Sequence, residues 1–156
     1  MASKIKDLPF IPSEANVFLV KREVPTNTEG APTIGKVWSV VYVNSVEGDT
    51  SLASITANQI TIQPGTYVVK IFHEQNAASG VSACRLYDVD NSLTAIKGSS
   101  NIADDVTITM ELQGILTVNT ATTYEIQVYK ASSGTLQGVR CNYGNEVFVT
   151  GFFLRL

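Results

Sequence analysis

Alternation of hydrophobic and polar residues is the strongest pattern along this chain. Between Val106 and Gln113 every second residue is apolar and the residues between are polar, which is typical of a strand with one buried face. Tyr124–Val128 follows the same rule. Seven further segments have strand character: Val17–Val24, Lys36–Val46, Gln59–Gln63, Thr66–Glu74, Val81–Tyr87, Ile115–Val118 and Glu146–Leu156. The pattern therefore predicts nine short strands.

Clusters of turn-forming residues separate these segments, and none of the intervals has the length or period of a helix. The predicted turns are Pro25–Pro32, Val46–Thr50, Pro64–Gly65, Asn76–Gly80, Asp88–Ser92, Gly98–Asn101, Ser132–Gly134 and Asn142–Asn145. Short strands joined by frequent turns favour a β-sandwich or barrel over alternating strands and helices. We therefore expect an all-β protein.

Composition supports this fold class and excludes several functions. Valine, threonine and isoleucine, which fit a pleated sheet better than a helix, occupy 46 of the 156 positions. With 44% hydrophobic and 16% charged residues, the chain can bury a core as one folded domain. A net charge of −3 offers no basic surface for nucleic acid. No apolar run is long enough for membrane insertion.

The first sixteen residues differ from the rest. Asp7–Pro12 is apolar but contains two prolines, so residues 1–16 are predicted to form an extended arm before a domain spanning residues 17–156. Leu8, Phe10 and Ile11 are the candidate residues by which this arm docks to a larger particle. Because this segment also lacks the apolar stretch of a secretory signal, we expect synthesis in the cytosol.

Several predicted strands carry apolar residues on both faces. Adjacent apolar pairs occur at Val40–Val41, Val68–Val69, Ile71–Phe72 and Phe152–Phe153. A strand that is apolar on both sides needs cover on both sides, from a second sheet or from another subunit. Phe72 and Phe153 are the candidate residues of a subunit interface, and the alternative for either is a place in the inner core.

Candidate catalytic and metal-binding residues are few. His73, the only histidine, lies mid-strand, where a structural or surface role is the expectation. Asp88–Asn91 lacks the glycine and terminal glutamate of a calcium loop and is predicted to be a turn. Asp104–Asp105 either contributes to a carboxylate pair or caps a loop. Cys84 and Cys141 have no nearby cysteine partner and are expected to be buried thiols. We predict no catalytic residue, no metal, no cofactor and no enzyme activity.

A polar segment near the C-terminus is a candidate binding loop. It places a tyrosine, which offers a large contact area at low entropic cost, among flexible polar residues. The alternative is an ordinary hairpin turn. The candidate receptor-binding residues are Arg140, Asn142, Tyr143 and Asn145.

From Gln59 onwards the order of features resembles the jelly roll of tumour necrosis factor and the complement globular head. The residues that carry the resemblance are Ile60–Tyr67 leading into Val68–Phe72, followed by Ala83–Val89, Met110–Gly114, Tyr124–Val128 and Val149–Leu156. It covers about two thirds of the chain. The resemblance implies a jelly-roll β-sandwich that forms a homotrimer, with subunits packed through aromatic and aliphatic residues of one sheet. The sequence departs from that family at Thr122–Thr123, which stands where the family has Gly-Asp before its sixth strand, so the resemblance does not define the register there.

The beginning of the chain resembles the opening of many tail-fibre and virion proteins of tailed bacteriophages. The residues concerned are Lys4–Pro9 and Val17–Val20. The resemblance implies a protein of the virion, assembled in the cytoplasm of the host bacterium, whose partners are its own copies and capsid or tail proteins.

Within that class a capsid decoration protein or a short fibre knob is favoured, because the chain contains no fibre shaft. The first alternative is a tail-fibre receptor-binding tip that recognises a host-surface glycan or protein. The second is a bacterial carbohydrate-binding module, and an enzyme is the third.

Overall fold

The computed structural model describes residues 16–26, 28, 34–77, 80–103, 106–131 and 146–156. These residues contain no α-helix and form eleven strands. The strands are β1 (Val17–Val24), β2 (Trp38–Val40), β3 (Ser45–Gly48), β4 (Ala53–Thr56), β5 (Gln59–Ile62), β6 (Gly65–Ala77), β7 (Gly80–Asp88), β8 (Leu93–Ala103), β9 (Val106–Val118), β10 (Thr122–Lys130) and β11 (Glu146–Arg155).

The strands form two antiparallel sheets that pack as a sandwich. One has five strands in the order β3-β1-β11-β6-β9, and the other has six, in the order β4-β5-β10-β7-β8 with β2 paired to β10. From β8 to β11 the chain enters the other sheet at each successive strand, and most neighbours within a sheet are distant in sequence, the exceptions being the pairs β4–β5 and β7–β8. The predicted all-β jelly-roll sandwich is confirmed.

The alternation read from the sequence places the core between the two sheets. On β6 the side chains of Tyr67, Val69 and Ile71 are buried, whereas the intervening residues point outward. Burial of the inward apolar side chains of both sheets is the main stabilising term of such a sandwich. The largest of these side chains with almost no exposed area are Tyr67, Phe18, Phe153, Ile60, Ile62, Ile71, Leu86, Met110, Leu112 and Ile126.

Two of the predicted boundaries are wrong for identifiable reasons. Lys36–Val46 is not one strand, because the chain leaves β2 in the six-stranded sheet and enters β3 in the five-stranded sheet. The predicted turn Gly98–Asn101 lies within β8, which pairs with β7 through two irregularities. A Cβ atom at Gly98 would collide with the Sγ of Cys84, so this glycine permits close packing inside a strand.

Other differences concern continuity. The segments either side of Gly114 form a single strand, β9, which pairs with β6 along its whole length. The pattern also missed β4 and all of β8. Both are edge strands of the six-stranded sheet, and edge strands carry weaker burial patterns than central ones.

Candidate functional site

The outward side of the five-stranded sheet carries a band of apolar residues. In the ladder Val17 pairs with Leu154, Leu154 with Val68, and Val68 with Ile115, so four apolar side chains form one row across four strands. Ile115 at the edge is 60% exposed. We define the five-strand face as this row together with the outward apolar residues beside it: Val17, Leu19, Val68, Phe72, Ile115, Phe152 and Leu154.

Phe72 lies on this face and is 39% exposed. The Nζ of Lys70 lies 4.9 Å from the centre of its ring and 3.1 Å from the Oε1 of Glu111. Phe72 also lines a shallow pocket of about 180 Å³ together with Glu74, Thr109 and Thr150. The residue is therefore available to a neighbouring subunit, as the interface hypothesis requires.

Phe153 points in the opposite direction, into the core. Its side chain has no exposed area, and its ring stacks on that of Phe18. Of the two roles that the sequence left open for Phe153, interface or inner core, the structure shows the inner core. Because a fully buried side chain has no surface to offer another subunit, Phe153 is not a residue of the interface.

Other predicted sites lie outside the described residues. They are the arm residues Leu8, Phe10 and Ile11, the loop residues Arg140, Asn142, Tyr143 and Asn145, and also Cys141 and Asp104–Asp105.

The outward side of the six-stranded sheet carries a network that sequence reasoning missed. Glu125 on β10 accepts hydrogen bonds from the amide groups of Gln59 at 2.9 Å and Gln127 at 2.6 Å. The Oε1 of Gln127 accepts a bond of 2.9 Å from the Nε of Arg85, whose Nη1 donates to the Oγ1 of Thr94 at 3.0 Å. These five residues, which we call the polar ladder, connect four neighbouring strands.

Aromatic rings flank the guanidinium group of the polar ladder. The Cζ of Arg85 lies 4.1 Å from the centre of the Trp38 ring and 4.4 Å from that of Tyr87. Trp38, which is 38% exposed, also contacts Tyr129, with ring centroids 5.8 Å apart. Two signals in the sequence point to this surface: the alternation of Glu125 and Gln127, and the single tryptophan.

One end of the sandwich has a polar interior. His73 and Gln75 on β6 and Ser82 on β7 are buried, and none of their side-chain polar atoms has a hydrogen-bond partner. Gln75 lies two residues before the end of β6, and Ser82 lies two residues after the start of β7. Both residues are therefore close to the point where the chain leaves one sheet for the other. Burial, together with the charge of Arg22, lowers the pKa of His73 to about 3.

His73 is therefore a neutral structural residue in the core. Since its two ring nitrogens have no partner, it forms no catalytic pair with any described residue. Of the two roles that the sequence predicted for His73, structural or surface, its burial supports the structural one. Cys84 is likewise a buried free thiol, as predicted.

The acidic segment after β7 is a turn, as predicted. Both carboxylate oxygens of Asp88 accept bonds of 2.9 Å from the backbone and side-chain nitrogens of Asn91. Asp90 accepts a bond of 2.8 Å from the backbone of Thr123. Within the described ranges no three histidine, cysteine, aspartate or glutamate side chains are placed to hold a metal ion.

The described part of the chain has no helix with the length and apolar character needed to cross a membrane.

Solved structures of similar fold include the globular domain of a zebrafish complement 1qA protein, with a TM-score of 0.58 and 15% identity over 91% of this chain and 97% of that chain. Another is murine APRIL at pH 5.0, with a TM-score of 0.57 and 8% identity over 89% and 98% of the two chains. No family model and no curated protein matches the sequence. At these identities the similarity establishes the fold, in agreement with the jelly roll that the sequence resembles.

Proposed function

We propose that this chain is a non-catalytic protein that assembles into a homotrimer through the five-strand face. The observation that carries the proposal is the row of four side chains that points away from the core. It is apolar throughout and consists of Val17, Leu154, Val68 and Ile115. Isolated exposed apolar residues are common, but a contiguous apolar band is typical of a surface that another protein covers. Three of the four adjacent apolar pairs in the sequence place one member on this face: Val68, Phe72 and Phe152.

A second copy of the chain is the occupant that the resemblance implies. The lysines on this side do not oppose association, because each has an acidic partner. Lys21 lies 2.6 Å from Glu47, and Lys70 lies 3.1 Å from Glu111. Pairing within the subunit lowers the electrostatic cost of bringing two such faces together.

Light scattering of the purified protein at several concentrations tests this proposal. We expect the mass of a trimer for the wild type and of a monomer for Ile115→Lys, because a lysine in the apolar row would become a charge without a partner when a second subunit covers it. Leu93→Lys is the matched control, since Leu93 is 49% exposed and lies in the other sheet. It should remain trimeric. A monomeric wild type, or a trimeric Ile115→Lys variant, would overturn the proposal.

We also propose that the trimer belongs to the surface of a tailed-phage particle, as a capsid decoration protein or short fibre knob. The support is the resemblance of residues 4–9 and 17–20 to the openings of such proteins. In this proposal Leu8, Phe10 and Ile11 of the arm dock to capsid or tail proteins. The particle is assembled in the bacterial cytoplasm.

Deleting residues 1–16 from the gene in the phage tests the docking role. We expect purified particles to lack the truncated protein, while the same protein made alone remains a folded trimer. Normal incorporation of the truncated protein would remove the arm from the proposal. Absence of the full-length protein from purified particles would remove the virion role itself. A persistent monomer that binds sugar would favour the bacterial carbohydrate-binding module instead.

A further inference from the structure

We propose that the outward side of the six-stranded sheet binds a carboxylated saccharide, with Trp38 as the stacking surface and Arg85 as the partner of the carboxylate. This site is separate from the five-strand face and does not depend on trimer formation. It also differs from the loop Arg140–Asn145 that the sequence indicated for a receptor.

The first argument is the combination of an exposed aromatic ring with planar polar groups held in fixed positions. Sugar rings present C–H groups that pack on aromatic faces, and hydroxyl groups that pair with amides and carboxylates. The polar ladder presents the carboxamide of Gln59, a carboxylate, a hydroxyl and a guanidinium across four strands, and the buried side chain of Gln127 joins them. Because its members hold one another, a ligand meets a preorganised surface and loses less entropy on binding.

The second argument concerns charge. Arg85 on β7 is the cross-strand partner of Lys97 on β8, so two cations lie opposite each other on the same face of the sheet. Like charges in such positions destabilise a sheet. Among the described residues neither cation forms an ion pair, whereas Lys21 and Lys70 on the other sheet each have one. The carboxylate of Glu125 attracts Arg85, and an anionic ligand would add a second negative charge beside the two cations.

The third argument is the spare donor capacity of Arg85. A guanidinium has five N–H groups. Arg85 uses Nε and Nη1 for Gln127 and Thr94, and its Nη2 has no hydrogen-bond partner in the described part of the chain. The two flanking rings hold the guanidinium plane in place, which suits recognition of a planar carboxylate. No hydrogen bond joins this nitrogen to Glu125, whose two oxygens accept amide hydrogens from Gln59 and Gln127.

Fluorescence titration measures this binding directly, because Trp38 is the only tryptophan in the chain. We would titrate the full-length protein with tri-galacturonic acid, with sialyllactose, and with neutral lactose. We expect saturable changes in emission with at least one of the two acidic sugars, and the one that binds distinguishes a uronic from a sialic acid. Affinity should fall as the salt concentration rises. Silence with both acidic sugars, or equal binding of lactose, would overturn the proposal.

Variants then locate the site, with calorimetry as the readout because some lack the tryptophan. We expect Arg85→Gln and Trp38→Ala each to weaken binding by about 10-fold or more. Arg85→Lys keeps the charge but loses the planar fork, and should also weaken it. The controls are Val81→Ala, on the same strand, and Arg155→Gln, an exposed arginine on the other sheet. Circular dichroism and solution mass establish that each variant is folded. Unchanged affinity in folded Arg85→Gln protein would overturn the assignment.

Discussion

The rings of Phe18 and Phe153 stack in the core, with centroids 4.6 Å apart and planes inclined by 8°. The two residues are cross-strand partners on β1 and β11, and the ring of Tyr67 meets Phe18 edge-on at 5.9 Å. This cluster joins three neighbouring strands of the five-stranded sheet. It lies on the opposite side of the sheet from Phe72, so the two phenylalanines that the sequence grouped together serve different purposes.

Truncating Phe153 and Phe72 should therefore have different effects. We expect Phe153→Ala to lower the free energy of unfolding by about 3–5 kcal/mol, because it leaves a cavity in the core. Phe72→Ala should cost the single chain about 1 kcal/mol or less and should instead weaken subunit association. Urea unfolding and concentration-dependent light scattering measure the two effects. Equal loss of stability in both variants would contradict this division.

His73 predicts the pH dependence of stability. The pKa of its imidazole is about 3 in the folded protein and about 6.5 when unfolded, so the unfolded chain binds the proton more readily. The part of the free energy of unfolding that depends on the neutral form of His73 should therefore be at its full value above pH ~6.5. It should be lost progressively as the pH drops towards ~3. Between pH ~6.5 and ~5 the loss should reach about 2 kcal/mol.

The variant His73→Gln removes the titrating group and is the control for this effect. Since the chain has one histidine, the variant should show a flat stability profile between pH ~6.5 and ~5, above the range in which carboxylates titrate. Chemical denaturation at half-unit intervals of pH measures both proteins. Parallel profiles would show that His73 is accessible to protons in the folded state.

Backbone conformation predicts that two substitutions change the stability of the protein in opposite directions. Ala57 in the β4–β5 turn has φ 50°, a region in which a Cβ atom is unfavourable, so Ala57→Gly should raise stability by up to about 1 kcal/mol. Gly48 has φ 84°, and a Cβ there would lie 2.5 Å from the carbonyl oxygen of Val17. Gly48→Ala should therefore lower stability by more than about 1 kcal/mol. Thermal unfolding of the two variants beside the wild type is the measurement.

The hydrogen bonds in the turn after β7 predict that stability depends on the Asp88 side chain and does not depend on calcium. Asp88→Ala should lower the free energy of unfolding by about 1–2 kcal/mol, because it removes both hydrogen bonds to Asn91. Adding calcium, or a chelator, should leave the melting temperature unchanged, since no three histidine, cysteine, aspartate or glutamate side chains among the described residues are placed to hold a metal ion. A rise in melting temperature with calcium that Asp88→Ala abolishes would instead identify a metal site.

The period-two pattern by itself determined the fold class and most of the strands. β1 has the predicted bounds, Val17–Val24, because a regular alternation specifies both a strand and its buried face. The resemblance carried by Ile60–Phe72 indicated the sandwich. The same pattern could not separate the two roles of adjacent apolar residues: Phe72 and Phe153 look alike in sequence, and only the pairing of β6 with β11 assigns one to the surface and the other to the core.

Tertiary structure alone decided what the outward residues form together. Gln59 and Glu125 are 66 positions apart, and they meet because β5 and β10 are neighbours in the six-stranded sheet. The stacking of Arg85 with Trp38 likewise requires β2 and β7 to pair with opposite edges of β10. Alternation along a strand depends on neighbouring residues and can be read locally. Contacts across strands depend on strand order and register, which arise only when the whole chain has folded.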